Sequence, residues 1–232
     1  MFKNDFFTNP FYELEENCDA CKLKVTATMG SDDDIAEAAR QSFNAGRGPR
    51  RSTNEALIGS LLKRGHDTPF EQCEIRFRLK APEFVWKQWL RHRIASINEI
   101  SLRYSKDVVL EFYEPKVWRD AKGNPLPDDV QRMLSENLRQ NHETYRKIYQ
   151  WRLDNGVALE QARIDMPMTR ITDAWWKCNL REAIHFMTLR GDERAQLEIR
   201  RYARRMCDEL SKPFPVAMTA FREICFDSET SR

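Results

Sequence analysis

Residues 73–80 read Cys-Glu-Ile-Arg-Phe-Arg-Leu-Lys, and Ile75, Phe77 and Leu79 fall on one face of that run. Strict alternation has the two-residue period of a strand, and a helix would scatter those apolar side chains around its surface. A second stretch, 22–28 (Lys-Leu-Lys-Val-Thr-Ala-Thr), alternates in the same way. A chain with such strands must build a sheet and cover one of its faces. The rest of the pattern says that helices do the covering. Ser31 or Asp32 caps a helix through about Phe43, with acidic residues in its first turn. After the loop Gly46-Arg47-Gly48-Pro49, another runs from about Ser52 to Arg64 and stops at Gly65. A short helix follows Pro82 and carries Phe84, Val85, Trp86, Gln88 and Trp89.

A long helix is expected over about Asp128–Asp154, its apolar stripe formed by Val130, Met133, Leu134, Leu138, Tyr145, Ile148, Tyr149 and Leu153. Further helices are expected at about 157–164, 174–190, 193–211 and 215–225. Ile94–Tyr104 has no clean period and reads as a loop, while Val108–Tyr113 reads as a short strand. The stretch 115–127, with Pro115, Gly123, Pro125 and Pro127, reads as an irregular surface connection. Few strands and many helices without strict alternation predict a single α+β domain with a small, mostly antiparallel sheet.

Composition narrows the function classes. The 232 residues include 13 Phe and 6 Trp, enough aromatic bulk for a real core without staples. A net charge of +2 argues against a dedicated nucleic-acid binder. No apolar run approaches the ~20 residues of a membrane span, and the start Met1-Phe2-Lys3-Asn4-Asp5 is unlike a signal peptide, so a cytoplasmic protein is expected. Cys18-Asp19-Ala20-Cys21 lacks a second pair or a nearby His for zinc, and precedes a strand instead of joining strand to helix. Two ordinary thiols and no metal are therefore expected. The basic run Arg200-Arg201-Tyr202-Ala203-Arg204-Arg205 is flanked by Glu198, Asp208 and Glu209, which predicts a solvated, ion-paired helix face.

The densest chemistry lies in 88–105, where Arg91, His92, Arg93, Asn98, Glu99, Ser101, Arg103 and Ser105 follow an aromatic helix. Arginine offers a planar fork of donors for phosphate oxygens and base carbonyls, and small hydroxyls can complete an anion cradle. Taken singly, Arg91 and Arg93 could equally satisfy the C-terminal end of the preceding helix. Their order decides. Arg91-His92-Arg93, seven residues, then Ser101 resembles the Arg-His-Arg-x7-Ser signature of the flavin-dependent thymidylate synthases, and the likeness continues through Gln88-Trp89 and Arg103-Tyr104-Ser105. Gly65-His66-Asp67-Thr68-Pro69-Phe70-Glu71, Ala162-Arg163-Ile164-Asp165-Met166-Pro167 and Asn179-Leu180-Arg181…Leu189-Arg190 resemble further segments of that family, in the same order. Departures are Asp67 for Glu, Arg64 and Gln72 where His is frequent, and Arg194 where His precedes Ala195-Gln196. The likeness spans about 22–212, which implies an N-terminal extension (1–21), one domain (22–225) and a tail (226–232).

The resemblance implies C5-methylation of dUMP, with carbon from methylenetetrahydrofolate and electrons from NADPH through FAD. It implies that Arg190 favours the N3-ionised uracil. Gln88, Arg103 and Arg163 would hold the nucleotide, with Ser101 near its phosphate and Trp89, Leu90, Arg91, Glu99, Ile100 and Leu102 around it. Thr68, Arg91, His92, Arg93, Glu99, Asn179, Leu180, Arg181 and His185 would meet FAD. A homotetramer with sites between subunits is also implied, without nucleic acid or membrane as partner. Two rivals remain: a related enzyme acting on another pyrimidine nucleotide such as UMP, and a non-catalytic nucleotide- or RNA-binding module.

Overall fold

The computed structural model describes residues 18–42, 52–104 and 108–227, so the expected loop at Gly46–Pro49 and Ser105 lie outside the described residues. Four strands, β1 (Lys22–Met29), β2 (Glu74–Pro82), β3 (Ala95–Glu99) and β4 (Ile171–Asn179), form one antiparallel sheet in the order β1-β2-β4-β3. The helices are α1 (Asp32–Gln41), α2 (Asn54–Arg64), α3 (Glu83–Trp89), α4 (Asp128–Asp154), α5 (Leu159–Ala162), α6 (Leu180–Gly191), α7 (Leu197–Leu210) and α8 (Pro215–Asp227), with a 3-10 turn at Thr68–Gln72. The α+β reading of the sequence holds.

Alternation does what the pattern requires. Ile75, Phe77 and Leu79 of β2 are buried, as are Ala174, Trp176 and Cys178 beside them on β4. The opposite face is open, with the Arg76 and Arg78 guanidiniums 4.9 and 5.7 Å from the Trp175 ring centroid. Trp89 is the hub of the covered face. Its ring centroid lies 4.3 Å from Phe186 of α6, 5.4 Å from Trp176 and 5.7 Å from Tyr202 of α7. Local signals also hold: Ser31 caps α1 by accepting from the Asp34 N–H, and Gly65 ends α2 at φ 66°, a left-handed conformation that glycine adopts without cost.

Several expectations are corrected. Residues 95–99 are not a loop but strand β3: Ala-Ser-Ile-Asn-Glu carries little pattern because β3 is an edge strand, ordered by its ladder with β4. The helix expected from 174 begins only at Leu180. Residues up to Asn179 form the inner strand β4, whose alternation is masked in sequence by the doublet Trp175-Trp176. Val108–Tyr113 forms no strand and contributes only the bridge Phe112↔Arg170. The helix at 157–164 shrinks to the single turn α5, and α7 starts at Leu197.

The basic helix is not a solvated face. Arg200, Arg201 and Arg204 are each less than a tenth exposed, because α7 passes between β1, α3, α6 and α8 and is buried nearly all round. Flanking acids serve this interior, Glu209 accepting from the Val25 N–H at 3.1 Å and Glu198 pairing with Arg119 at 2.5 Å. Cys18 and Cys21 are not two thiols but a disulfide, closing the turn that leads into β1. Among the described residues no helix is long and apolar enough to cross a membrane.

Candidate active site

The site is assembled from the end of α3, the residues between it and β3, and all of α6. β4 runs into α6 with no intervening residue, and Asn179 is the joint: its side-chain oxygen accepts from the Glu182 N–H at 2.9 Å. Such a cap satisfies one of the orphan donors at a helix start. At the far end of α6, the Arg190 guanidinium donates Nε–H to His92 Nε2 at 3.1 Å and Nη2–H to the Gln88 carbonyl at 3.0 Å. The Gln88 side chain donates instead to Gln196 Oε1 at 2.8 Å. Burial, and then the neighbouring Arg91 charge, lower the Arg190 pKa. Its three remaining N–H donors have no partner among the described residues.

His92 is the buried member of the signature, with its side chain 2% exposed, whereas Arg91 and Arg93 on either side are exposed and have no ion pair among the described residues. The His92 pKa is pushed down to about 4, first by burial and then by the Arg190 and His185 charges. The ring is therefore neutral near pH 7. Its Nδ1 lies 3.1 Å from Oε1 of Glu182, a buried carboxylate that the sequence reading missed. The exposed His185 closes on this ring edge-on, with centroids 5.5 Å apart. Arg181, near the start of the same helix, pairs with Asp67 at 2.6 Å and with Glu71, which places it beside the exposed Thr68.

A second group lies beyond the other end of β3. Ser101 Oγ accepts from the Arg103 N–H at 3.2 Å, the Arg103 guanidinium pairs with Glu160 of α5 at 3.4 Å, and Arg163 follows α5 directly. No histidine or carboxylate is hydrogen-bonded to the Ser101 hydroxyl among the described residues, so it lacks the base a nucleophile needs. The five-residue β3 spans roughly 17 Å and separates this group from Arg93 and His92. Glu99 is committed within the fold, accepting from Trp86 Nε1 at 2.8 Å and Thr172 Oγ1 at 2.6 Å. The side chains of Trp89, Leu102 and Leu180 are core, which leaves them only backbone groups to offer a ligand, while Leu90 and Ile100 are exposed.

A cavity of about 550 Å³ adjoins the first group through Gln196, lined also by Phe84, Tyr113, Trp118, Arg119 and Glu198. The described residues provide no activated thiol. Cys18 and Cys21 are bridged, and Cys73, Cys178, Cys207 and Cys225 are buried thiols. Burial pushes Cys73 up to about 11 and Cys207 and Cys225 up to about 12, and raises Cys178 as well. A thiolate attack on a substrate carbon has no residue to perform it.

A half-buried arginine held by a neutral histidine, with exposed Arg91 and Arg93 nearby in the chain, makes a cationic site suited to an anionic ligand. The comparisons supply the family. The family model described as "Thymidylate synthase complementing protein" matches residues 24–216. The flavin-dependent thymidylate synthase of Anaplasma marginale (strain St. Maries) is 39% identical over 218 residues, covering 90% of this chain and 74% of that protein. That of Wolbachia pipientis wMel is 39% identical over 229 residues, covering 94% and 79%. The solved structure of the UMP/dUMP methylase PolB from Streptomyces cacaoi, bound with 5-Br dUMP, matches with a TM-score of 0.78 at 28% identity, over 87% of this chain and 94% of that one. This chain belongs to the flavin-dependent thymidylate synthase family, enzymes with FAD as cofactor.

Proposed function

We propose that the protein converts dUMP to dTMP, taking carbon from methylenetetrahydrofolate and reducing equivalents from NADPH through FAD. The observation that carries this reading is Arg190, a cation held on two of its nitrogens in a partly desolvated position with the rest of its fork uncommitted. Beside uracil, such a cation stabilises negative charge as N3 loses its proton and C5 gains nucleophilicity. Gln88, Arg103 and Arg163 orient the nucleotide, and Ser101 with its neighbouring amides receives the phosphate.

The donor set fits a flavin nucleotide. Arg91 and Arg93 carry positive charge without a carboxylate partner among the described residues, and Asn179, Arg181 and His185 of the β4–α6 joint and α6, with Thr68 beside Arg181, offer amide, guanidinium, imidazole and hydroxyl groups. These residues would hold FAD, which when bound would supply the reducing chemistry that no side chain here provides.

The division of the site across β3 supports assembly into a homotetramer. Residues at one end of β3 in one protomer would complete those at the other end in a second. The long helix α4 fits this role, since of its apolar stripe only Tyr149 is fully buried and Met133 stays 67% exposed.

A second reading, methylation of UMP, is favoured by the likeness to PolB. Anaerobic turnover with FAD, NADPH, methylenetetrahydrofolate and either dUMP or UMP, read by product mass, tests both. Product from dUMP supports the proposal. Product from UMP alone moves the enzyme to the second reading, and no product from either overturns both.

A further inference from the structure

Arginine only donates hydrogen bonds and keeps its proton in proteins, so the contact from Arg190 Nε–H requires a lone pair on His92 Nε2. A neutral imidazole has one donor and one acceptor nitrogen, and its proton must therefore sit on Nδ1. At 2% side-chain exposure that N–H cannot turn to water, and the acceptor beside it is Glu182 Oε1, 3.1 Å away. The opposite tautomer would set N–H against N–H at Arg190 and lone pair against carboxylate at Glu182. The histidine's tautomer is fixed from both sides.

We propose that Glu182 is a positioning residue: through the Nδ1–H of His92 it fixes the ring whose Nε2 holds the Arg190 guanidinium toward the substrate. Glu182 touches no reacting atom and acts two contacts away. Its backbone is as constrained as its carboxylate, because its N–H is the donor that Asn179 caps. One helix thus carries both ends of the relay, Glu182 in its first turn and Arg190 in its last, with His92 bridging them from outside. The catalytic part of this inference rests on the proposed role of Arg190, while the tautomer part does not.

The test uses the FAD-loaded enzyme with 15N-labelled histidine. There are four histidines, and the His92 signals are assigned by their loss in His92→Asn. Wild type is expected to show His92 protonated at Nδ1. Glu182→Gln retains a carbonyl acceptor and keeps that tautomer, with kcat within about threefold of wild type. Glu182→Ala loses the acceptor, shifts the ring toward the Nε2–H form and lowers kcat on the order of 100-fold, as expected for a displaced guanidinium. FAD affinity and nucleotide KM should change less than about threefold.

An unchanged tautomer or an unchanged kcat in Glu182→Ala overturns the proposal. If the alanine variant does not fold, wild-type His92 found protonated at Nε2 overturns it alone. Wild type with the expected tautomer but no turnover of dUMP or UMP would instead sink the functional reading and leave the positioning relay intact.

Discussion

His92 makes the stability of this protein depend on pH in a direction and amount that the structure fixes. Its pKa falls from 6.5 to about 4 on folding, chiefly because burial disfavours the imidazolium. The folded state thus binds fewer protons than the unfolded chain between those values, and stability rises with pH across that window. The contribution is complete above pH 6.5 and is lost as pH falls toward 4. The full difference corresponds to about 3 kcal/mol, of which about 2 kcal/mol is gone by pH 5. Glu182 works the other way, because burial raises its pKa and its contribution fades as pH rises through the raised value. A comparison against a variant isolates the histidine. Urea unfolding of wild type and His92→Asn at pH 7.5, 6 and 5 is the assay. Between the first and last conditions, wild type should lose about 2 kcal/mol more than the variant. Parallel losses within about 0.5 kcal/mol would refute the assignment of a buried, neutral His92.

Other substitutions separate structural from chemical roles. Trp89→Ala should cost about 3–5 kcal/mol by thermal or urea unfolding, since it empties the hub between α3, α6 and α7. Trp89→Phe should cost less, because the buried indole N–H it removes has no hydrogen-bond partner among the described residues. Asn179→Ala should cost about 0.5–2 kcal/mol and speed amide exchange in the first turn of α6; unchanged exchange would argue that the cap does not hold that helix. Arg190→Ala should still bind FAD by its visible spectrum yet lose most methylation, and wild-type turnover in that variant would remove Arg190 from its assigned role.

The sequence made some of this legible and hid the rest for identifiable reasons. Strand β2 announces itself because alternate residues meet different solvents, and α2 because Gly65 marks its end with backbone chemistry, while the cap at its start proved to be Thr53. Strand β4 does not, since Trp175 on its open face stands next to Trp176 in the core and breaks the visible alternation. The arginines of α7 look solvent-bound in one dimension. They are buried because β1, α3, α6 and α8 pack around this helix, and no local pattern encodes that. The signature Arg91-His92-Arg93 pointed to the site, but not to the split in which the flanking arginines face outward and His92 turns in. Glu182 was invisible because it lies 90 residues from its partner, and an acid in the first turn of a helix is commonplace.

The absence of any residue between β4 and α6 governs how this chain can change in length. Adding one residue to a helix start turns everything beyond it by about 100° and advances it by about 1.5 Å. At the 179/180 junction, one added residue would swing Arg190 away from His92 while leaving every side chain chemically intact. The turn at 120–125 meets the opposite condition: it is exposed throughout, with Gly123 at φ 88°, and extra residues there displace only solvent. Length variation can accumulate in that turn, whereas the 179/180 junction sets the phase on which the contact between Arg190 and His92 depends.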